Sequence, residues 1–357
     1  MTAREQLVAV LNGGEADRTP FSIYDWEMGA VTSDELASVM QQDAWRCLLD
    51  RGLGVRHHCP VVRAVEHGVE FRVEETTHGS DVYRAEIKTT PVGSIQKVSR
   101  NGWHHEDWIK EPEDYKTQQW IVEHTELLPD YERFARAEDV VGEHGVVVVV
   151  GSDLSQHRTP AMKINVDWAG TQQFCMDLAM EVPELLDLYE AQKKVFLEEQ
   201  RIIAAGPGRF LLWLENLTIE MLGPQRYADF LMSVYREAMP IAEAGDKRVF
   251  VHYDGNLEII ADQIADAPFH GIDSLTEPPE GNMMYDVCRA QWPDKVIWAN
   301  INVELYALPP EEFRQAVIDK RARAGKRGFA FEISEERPKN WTESIPVVLD
   351  ALAELDP

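Results

Sequence analysis

From about residue 146 onward, the chain alternates short apolar runs, rich in β-branched and aromatic residues, with segments of helical periodicity. Such alternation is typical of a parallel sheet built from repeated βα units. The pattern predicts a (β/α)₈ TIM barrel, seven of whose eight strands are visible. The candidate strands span residues 21–24, 146–150, 210–214, 249–251, 272–275, 296–298 and 329–333.

An earlier part of the chain has a different pattern. Residues 55–125 contain alternating stretches, such as 69–74 and 82–87, that indicate an antiparallel β-rich elaboration. We therefore expect a single TIM-barrel domain over residues 1–357, with a small antiparallel β insertion near the N-terminus. The insertion either caps the mouth of the barrel or forms a peripheral ribbon.

The charge balance narrows the class of partner. The chain has 35 Lys and Arg residues against 62 Asp and Glu residues, for a net charge of -27. This excess repels phosphate backbones and anionic lipid surfaces, so neither nucleic acid nor membrane is an expected partner. The four cysteines show no Cys-x-x-Cys spacing, which argues against a zinc ribbon or a redox pair. Without a secretory leader pattern, a cytoplasmic location is the default expectation.

Ionisable side chains follow two successive candidate strands in the segment 249–279. His252 and Asp254 come after the first strand, and Glu277 comes after the second. Because barrel enzymes build their active sites at the carboxyl ends of the strands, these three are candidate catalytic residues. Glu215 joins them, because it ends an apolar run that looks buried and an ordinary surface role does not explain it.

A second group of strand-end residues is expected to contact substrate. Tyr24, Asp25 and Trp26 follow the first strand, where an aromatic and acidic cluster suits an aryl ring or a cationic methylated amine. Asn300 follows a later strand and is expected to offer hydrogen bonds at the barrel mouth. Plainer roles stay open, since Asp254 can cap the following helix and Trp26 can simply pack.

Seven pieces of the sequence, taken in chain order, match the motifs of one known family. They are Asp17-Arg18-Thr19-Pro20, Thr90-Pro91-Val92-Gly93, Leu214-Glu215-Asn216, Gly223-Pro224-Gln225-Arg226-Tyr227, His252-Tyr253-Asp254-Gly255-Asn256, Trp292-Pro293-Asp294-Lys295 and the segment 328–341. Together they resemble the uroporphyrinogen decarboxylase superfamily, in particular its methyltransferase-like branch. The resemblance implies a TIM barrel that either decarboxylates a tetrapyrrole or transfers a methyl group to or from a corrinoid cofactor.

Departures from the family patterns favour methyl transfer over decarboxylation, with an oxygen-linked methyl donor. The family's porphyrinogen decarboxylases carry an arginine-rich segment that clamps substrate carboxylates, whereas this chain continues after Arg18 with an acidic and aromatic stretch. Its zinc-dependent methyltransferases carry a His-x-Cys pair where this chain has His252 and Asp254. Histidine with carboxylates makes a harder site than thiolates do, which suits an oxygen-linked methyl donor.

The resemblance also bears on cofactors. The implied metal ligands are His252 and Glu335, the latter chosen from the acidic residues of the segment 332–336, with Glu277 or Asp254 open as a further ligand. Zinc is one option; in its absence, a carboxyl group of raised pKa would donate the proton. The Asp-x-His-x-x-Gly motif of the family's corrinoid carriers is missing from the sequence. The resemblance therefore implies a separate corrinoid (cobalamin) protein as the methyl acceptor.

These observations predict a methyltransferase that demethylates a small methylated substrate, an aryl or alkyl methyl ether, and passes the methyl group to the cobalt of that partner. One alternative is a lyase like uroporphyrinogen decarboxylase, whose pocket would need basic clamps for carboxylates. Another is a non-catalytic barrel that acts as a binding partner, in which the strand-end carboxylates would not converge. A homodimer is left open.

Overall fold

The computed structural model describes residues 1–154 and 157–355. The strands are β1 (Phe21–Tyr24), β2 (Gly54–Cys59), β3 (Val62–Glu66), β4 (Glu70–His78), β5 (Asp81–Thr90), β6 (Gly93–Arg100), β7 (Trp103–Glu106), β8 (Thr125–Pro129), β9 (Gly145–Val149), β10 (Phe210–Trp213), β11 (Arg248–His252), β12 (Gly271–Leu275), β13 (Val296–Asn300) and β14 (Phe329–Glu332). Eight of them are parallel and close into a barrel in the order β1, β14, β13, β12, β11, β10, β9 and β2. The predicted (β/α)₈ fold is thereby confirmed.

Helices surround the barrel and close its lower end. They are α1 (Ala3–Leu11), α2 (Asp25–Met28), α3 (Ser33–Met40), α4 (Asp43–Asp50), α5 (Pro112–Glu123), α6 (Tyr131–Val141), α7 (Pro160–Met162), α8 (Thr171–Ala179), α9 (Pro183–Ala205), α10 (Ile219–Leu222), α11 (Pro224–Arg226), α12 (Ser233–Ala244), α13 (Ala261–Asp266), α14 (Tyr285–Gln291), α15 (Pro310–Ala324) and α16 (Trp341–Leu355). Within the described ranges, we find no helix that combines the length and the apolar character of a membrane span.

The barrel interior is apolar at one end and polar at the other. Helix α1 inserts Leu7, Val10 and Leu11 among the inward residues of the strands, including Leu212 and Phe250, and this cluster fills the lower half. A capping box at Thr2 fixes the start of α1, because the side chains of Thr2 and Glu5 satisfy otherwise free N–H groups of the first turn. The polar upper half is therefore held on a packed base.

Strand β2 corrects the predicted boundary of the insertion. Residues 55–59 were expected to begin the β-rich elaboration, but β2 pairs in parallel with β1 and β9 and is the eighth barrel strand. Its sequence, GVRHHC, lacks the apolar character of the other barrel strands because Arg56 and His58 point into the polar upper half. The elaboration begins only after Cys59.

The elaboration itself is antiparallel, as predicted. Strands β4 to β7 form one four-stranded antiparallel sheet, and β3 pairs with β8 in a second, two-stranded one. Strand β7 contributes His104, His105 and Glu106 to the lining of the large cavity above the barrel. The insertion therefore lies at the mouth of the barrel, which is one of the two placements that the sequence left open.

Candidate active site at the carboxyl ends of the strands

His252 is held by a carboxylate on the neighbouring strand. It ends β11 and is paired in register with Asp273 of β12. Its Nδ1 lies 2.9 Å from Oδ2 of Asp273, and both side chains are buried. Burial alone would lower the pKa of His252, but the hydrogen bond and the charge of Asp273 raise it above its ordinary value. Asp273 is a site residue that the sequence analysis missed.

A buried arginine holds Asp273 in turn. Nη1 of Arg56, on β2, contacts Asp273 and lies 2.6 Å from Oε2 of Glu332 on β14. All three side chains are fully buried, and the guanidinium lies between the rings of Tyr24 and Trp298, at 4.8 and 4.4 Å from their centroids. This ion network crosses the barrel beneath the histidine.

The two carboxylates that share Arg56 differ in the direction of their pKa shifts. Burial would raise the pKa of Asp273, but Arg56 and the hydrogen bond from His252 outweigh it and hold this pKa below its ordinary value. Burial, together with the charge of Asp273, holds the pKa of Glu332 above its ordinary value in spite of Arg56. Asp273 is therefore the more readily ionised of the two partners of Arg56.

Two predicted carboxylates converge on the free face of His252. Its Nε2 lies 4.0 Å from Oδ2 of Asp254 and 3.8 Å from Oε1 of Glu335, and the three atoms all fall within 4.8 Å of one another. Four ligands at about 2.1 Å from zinc stand roughly 3.4 Å apart in a tetrahedron. Small rotations of the exposed Glu335 and half-exposed Asp254 side chains reach that spacing, so these residues fit a divalent metal with an open position.

Asn300, a predicted substrate contact, belongs to the same cluster. It ends β13, and its Nδ2 donates to Oε1 of Glu335 at 3.0 Å. Its Oδ1 is buried and accepts no hydrogen bond from the described residues. A buried acceptor without a partner costs free energy, which a ligand donor at this position would recover.

The three predicted residues after β1 separate into different roles. Tyr24 points inward and its hydroxyl lies 2.6 Å from Oγ of Ser274, while its ring stacks on Trp26 at 4.2 Å. Asp25 is buried and accepts hydrogen bonds from the main-chain N–H of His58, at 2.9 Å, and from Nδ1 of His57, at 2.6 Å. Asp25 therefore positions the β2 histidines and is not a substrate contact in this arrangement.

The histidine pair of β2 also corrects an expectation. His57 and His58 look like residues of a loop or insertion in the sequence, but both lie on a barrel strand. His57 points outward, with Nε2 2.9 Å from Oγ of Ser33. The ring of His58 packs against that of Trp26 at a tilt of 33°, with centroids 4.7 Å apart, and its buried Nε2 has no hydrogen-bond partner among the described residues. Because side chains alternate between the two faces of a strand, the adjacent histidines could have been predicted as one outward and one inward residue of a strand.

Glu215, a predicted catalytic residue, is placed away from His252. Trp213 of β10 stacks on Tyr235 of α12 outside the barrel, so Glu215, two residues on, faces the same way. Its carboxylate accepts hydrogen bonds from Oγ1 of Thr159 at 2.9 Å and from the hydroxyl of Tyr235 at 3.0 Å. Burial raises its pKa to about 7.

Glu277, also predicted to be catalytic, is committed to the outer helices. It accepts hydrogen bonds from Nζ of Lys320 and Nη2 of Arg323, both at 2.7 Å, on α15. Burial would raise its pKa, but these cations and the N–H of Tyr285 hold it below its ordinary value. The structure therefore brings together His252, Asp254, Glu335 and Asn300, and leaves Glu215 and Glu277 in separate clusters.

The mouth above the cluster is strongly acidic. A cavity of about 990 Å³ lies between the insertion and the barrel, and a smaller one of about 320 Å³ lies beside Asn300 and Glu335. Both are lined by Asp254, Gly255 and Glu280, so they adjoin. Lys110 is the single lysine or arginine in the two linings, against seven carboxylates. These are Glu106, Asp107, Glu220, Asp254, Glu280, Glu335 and Glu336.

The fold and this site define a (β/α)₈ barrel with a histidine and carboxylate cluster at the carboxyl ends of its strands. A methyltransferase from Methanosarcina mazei is similar over 100% of both chains, with a TM-score of 0.61 and 12% identity. A B12-independent methionine synthase from a Shewanella species is similar over 90% of this chain and 87% of its own, with a TM-score of 0.43 and 11% identity. No protein-family model and no curated protein sequence matches the chain. The likeness therefore concerns the fold.

Proposed function

We propose that this chain is a methyltransferase that demethylates a small methyl ether, aryl or alkyl, and passes the methyl group to the cobalt of a separate corrinoid protein. The observation that carries the proposal is the convergence of Asp254 and Glu335 on Nε2 of His252. A methyl ether is inert because its alkoxide or phenolate is a poor leaving group. When the C–O bond breaks, the electron pair stays on oxygen, which must meet a proton or a positive charge.

The cluster is suited to that task in two ways. His252, Asp254 and Glu335 would hold a zinc ion, whose chemistry when bound is that of a Lewis acid toward the ether oxygen. Asp273 orients His252 so that its Nε2 lone pair faces the ligand position, as carboxylates do behind metal-bound histidines. Without a metal, His252 itself would donate the proton, because the hydrogen bond and charge of Asp273 raise its pKa and so favour the imidazolium form.

The charge of the mouth favours this reaction over decarboxylation of a tetrapyrrole. A substrate with several carboxylates needs basic clamps, and Lys110 is the single cation among the residues that line the two cavities. Arg56 does not serve as a clamp, because it is fully buried and engaged with Asp273 and Glu332. The convergence on His252 likewise disfavours a non-catalytic barrel with scattered carboxylates.

The test combines metal analysis with a methyl-transfer assay. Purified protein is analysed for zinc and then given reduced free cobalamin with a panel of methoxylated aromatics, alkyl methyl ethers and methylamines, and, in a separate incubation, with uroporphyrinogen. We expect methylcobalamin to form with an ether, and His252→Ala to lose both bound zinc and activity. Loss of uroporphyrinogen carboxylates without methylcobalamin would overturn the proposal. His144→Ala, at a histidine outside the cluster, is the matched control.

A further inference from the structure

The end of the barrel opposite the mouth carries a small basic cavity. Its volume is about 230 Å³, and Arg248, Arg289, Lys295 and Arg327 line it together with a single carboxylate, Asp294. Arg248 begins β11, and Lys295 and Arg327 closely precede β13 and β14. The cavity therefore lies at the amino ends of three barrel strands, whereas His252 lies at the carboxyl end of β11.

None of these four cations forms an ion pair within 4.0 Å in the described part of the chain, although the charge of Asp246 acts on Arg248 and those of Asp294 and Asp266 act on Lys295 from farther away. In a chain with 62 acidic residues against 35 basic ones, four neighbouring cations without a close carboxylate are unusual. Each of them donates instead to main-chain carbonyl oxygens. The bonds are Arg248 Nε to Leu11 (2.8 Å), Arg289 Nη1 to Lys295 (2.8 Å), Lys295 Nζ to Ala267 (2.8 Å) and Arg327 Nε to Gly13 (2.9 Å).

Two of the guanidinium groups keep their terminal nitrogens free. Arg248 and Arg327 each use only Nε toward the described residues, so their Nη groups remain available as donors. Both groups border Gly13, since Nη2 of Arg248 would lie 3.7 Å from a Cβ placed there. Gly13 has a φ of 82° and no side chain, which leaves the space between the two arginines open.

Nearby cations help to lower the pKa values of His270 and Arg248 at this end of the barrel. Burial, followed by the charges of Arg248 and Lys295, lowers the pKa of His270 to about 4. Burial lowers the pKa of Arg248, and Arg209 lowers it further. Cations that lower one another's pKa are stabilised by a bound anion.

We propose that this cavity is a binding site for a phosphate-type oxyanion. Arginine presents paired N–H donors in a planar fork that matches phosphate oxygens, and such charge-assisted bonds are about twice as strong as neutral ones. Arg248 and Arg327 each supply a pair of terminal N–H groups that no described residue accepts, while Arg289 and Lys295 add positive charge from side chains held by main-chain carbonyls. The oxyanion is either free or the phosphoryl end of a nucleotide, and both present the same chemistry to the cavity.

The experiment measures binding to the full chain by calorimetry and thermal shift. The probes are inorganic phosphate, diphosphate and ADP, each against sodium chloride at matched ionic strength. We expect saturable binding, tighter for diphosphate than for phosphate. Equal affinity for ADP and diphosphate supports a free oxyanion as ligand, and tighter ADP binding supports a nucleotide. Phosphate effects equal to those of chloride would overturn the proposal.

Variants then locate the site. Arg248→Gln combined with Arg327→Gln should weaken diphosphate binding by about tenfold or more, since two charged forks are lost. The matched control, Arg46→Gln with Arg136→Gln, changes the net charge equally on exposed helices whose arginines pair with Asp43 and Asp34. Unchanged affinity in the first double variant would refute the assignment. Arg327→Gln alone, at an exposed side chain, gives the same test if the double variant does not fold.

Discussion

The position of His252 depends on a buried residue of the neighbouring strand. Its Nδ1–H donates to Asp273, so Nε2 faces Asp254 and Glu335. Arg56 lowers the pKa of Asp273, and an ionised acceptor fixes both the tautomer and the ring orientation. In the proposed reaction, the buried pair Arg56 and Asp273 would therefore act through the geometry of one histidine.

Replacing Asp273 by asparagine tests this positioning role. Asp273→Asn keeps the shape of the side chain but removes its charge, and we expect zinc affinity to fall by about 10- to 100-fold. Stability should fall as well, because Arg56 then lacks its ionised partner. Zinc affinity is measured by competition with a chelator on protein first shown to be folded by circular dichroism.

An exposed acidic residue provides the control for that measurement. Asp319→Asn on α15 makes the same chemical change at the surface and should leave zinc affinity within twofold. If Asp273→Asn binds zinc as tightly as the unmodified chain while Asp254→Asn does not, Asp273 has a structural role only.

The buried carboxyl group of Glu215 leads to a prediction about how the free energy of unfolding depends on pH. Its pKa is raised by burial to about 7, from an ordinary value of 4.5. The folded state therefore holds this proton more tightly than the unfolded state, and the stability it provides below pH 4.5 is lost as the pH rises through about 7. That loss is on the order of 3 kcal/mol by pH 8.

Glu215→Gln removes the titration and should flatten the fall in unfolding free energy between pH 5 and pH 8, measured by denaturant unfolding. Glutamine keeps one acceptor oxygen for Thr159 or Tyr235 and places an amide donor toward the other hydroxyl, which can itself accept. Glu132→Gln, at an exposed position, should leave the pH profile unchanged. An equally steep profile in Glu215→Gln would show that other buried carboxyls, such as Glu199, dominate it.

Part of the cluster could be predicted from sequence, because its residues follow the carboxyl ends of strands. The remaining differences depend on which side of its strand each residue faces and on how the barrel closes. His252, Asp254, Glu335 and Asn300 meet because all lie at or beyond strand ends. Glu215 falls on the outward side of its strand, which the apolar run before it does not reveal. Asp273 and Arg56 lie inside strands, and their contact depends on barrel closure, which brings β2 opposite β12.

At the scale of elements, the fit of β2 against β9 depends on one glycine. Gly145 begins β9, and a Cβ at this position would lie 1.8 Å from the carbonyl oxygen of Val55 in β2. This steric limit is independent of φ, because the backbone at Gly145 is extended, with a φ of 175°. Any side chain there must push the two strands apart at the start of their ladder.

Gly145→Ala is therefore expected to lower the free energy of unfolding by on the order of 3 kcal/mol, because the clash is with main chain and cannot be relieved by a rotamer change. Denaturant unfolding measures the loss. Gly255→Ala is the control, since its nearest contact would be an ordinary 3.6 Å to the carbonyl of Leu217. A loss below 0.5 kcal/mol in Gly145→Ala would mean that β2 and β9 adjust freely.

Strand β2 is also the barrel strand that the hydrophobic pattern of the sequence did not predict. Seven barrel strands are apolar because both of their faces are buried, and this was visible in the sequence. In β2, the inward positions carry Arg56 and His58, so the strand resembles the polar insertion that follows. Because these polar inward residues belong to the candidate site, the strand departs from the apolar rule, and the insertion was predicted to begin too early.

At the scale of the whole molecule, charge is unevenly distributed over a strongly acidic chain. The net charge is -27, the mouth is lined by seven carboxylates, and the opposite end carries the basic cavity. A partner that docks over the mouth must therefore tolerate or complement negative charge. Repulsion among the carboxylates also opposes the compact state, because unfolding moves like charges apart.

This repulsion predicts how stability depends on salt. Between 0.01 and 0.1 M sodium chloride, the Debye length falls from about 30 to about 10 Å, so most of the long-range repulsion is screened within that interval. We expect Tm to rise by about 1 °C or more across it, as about 1 kcal/mol of relieved repulsion would produce in a chain of this length, and to change much less between 0.1 and 0.3 M. Differential scanning calorimetry in sodium chloride and in potassium chloride separates screening from ion binding, because screening is the same for both salts. A Tm that is flat below 0.1 M would mean that local ion pairs, such as Arg56 with Asp273, outweigh the net charge in setting stability.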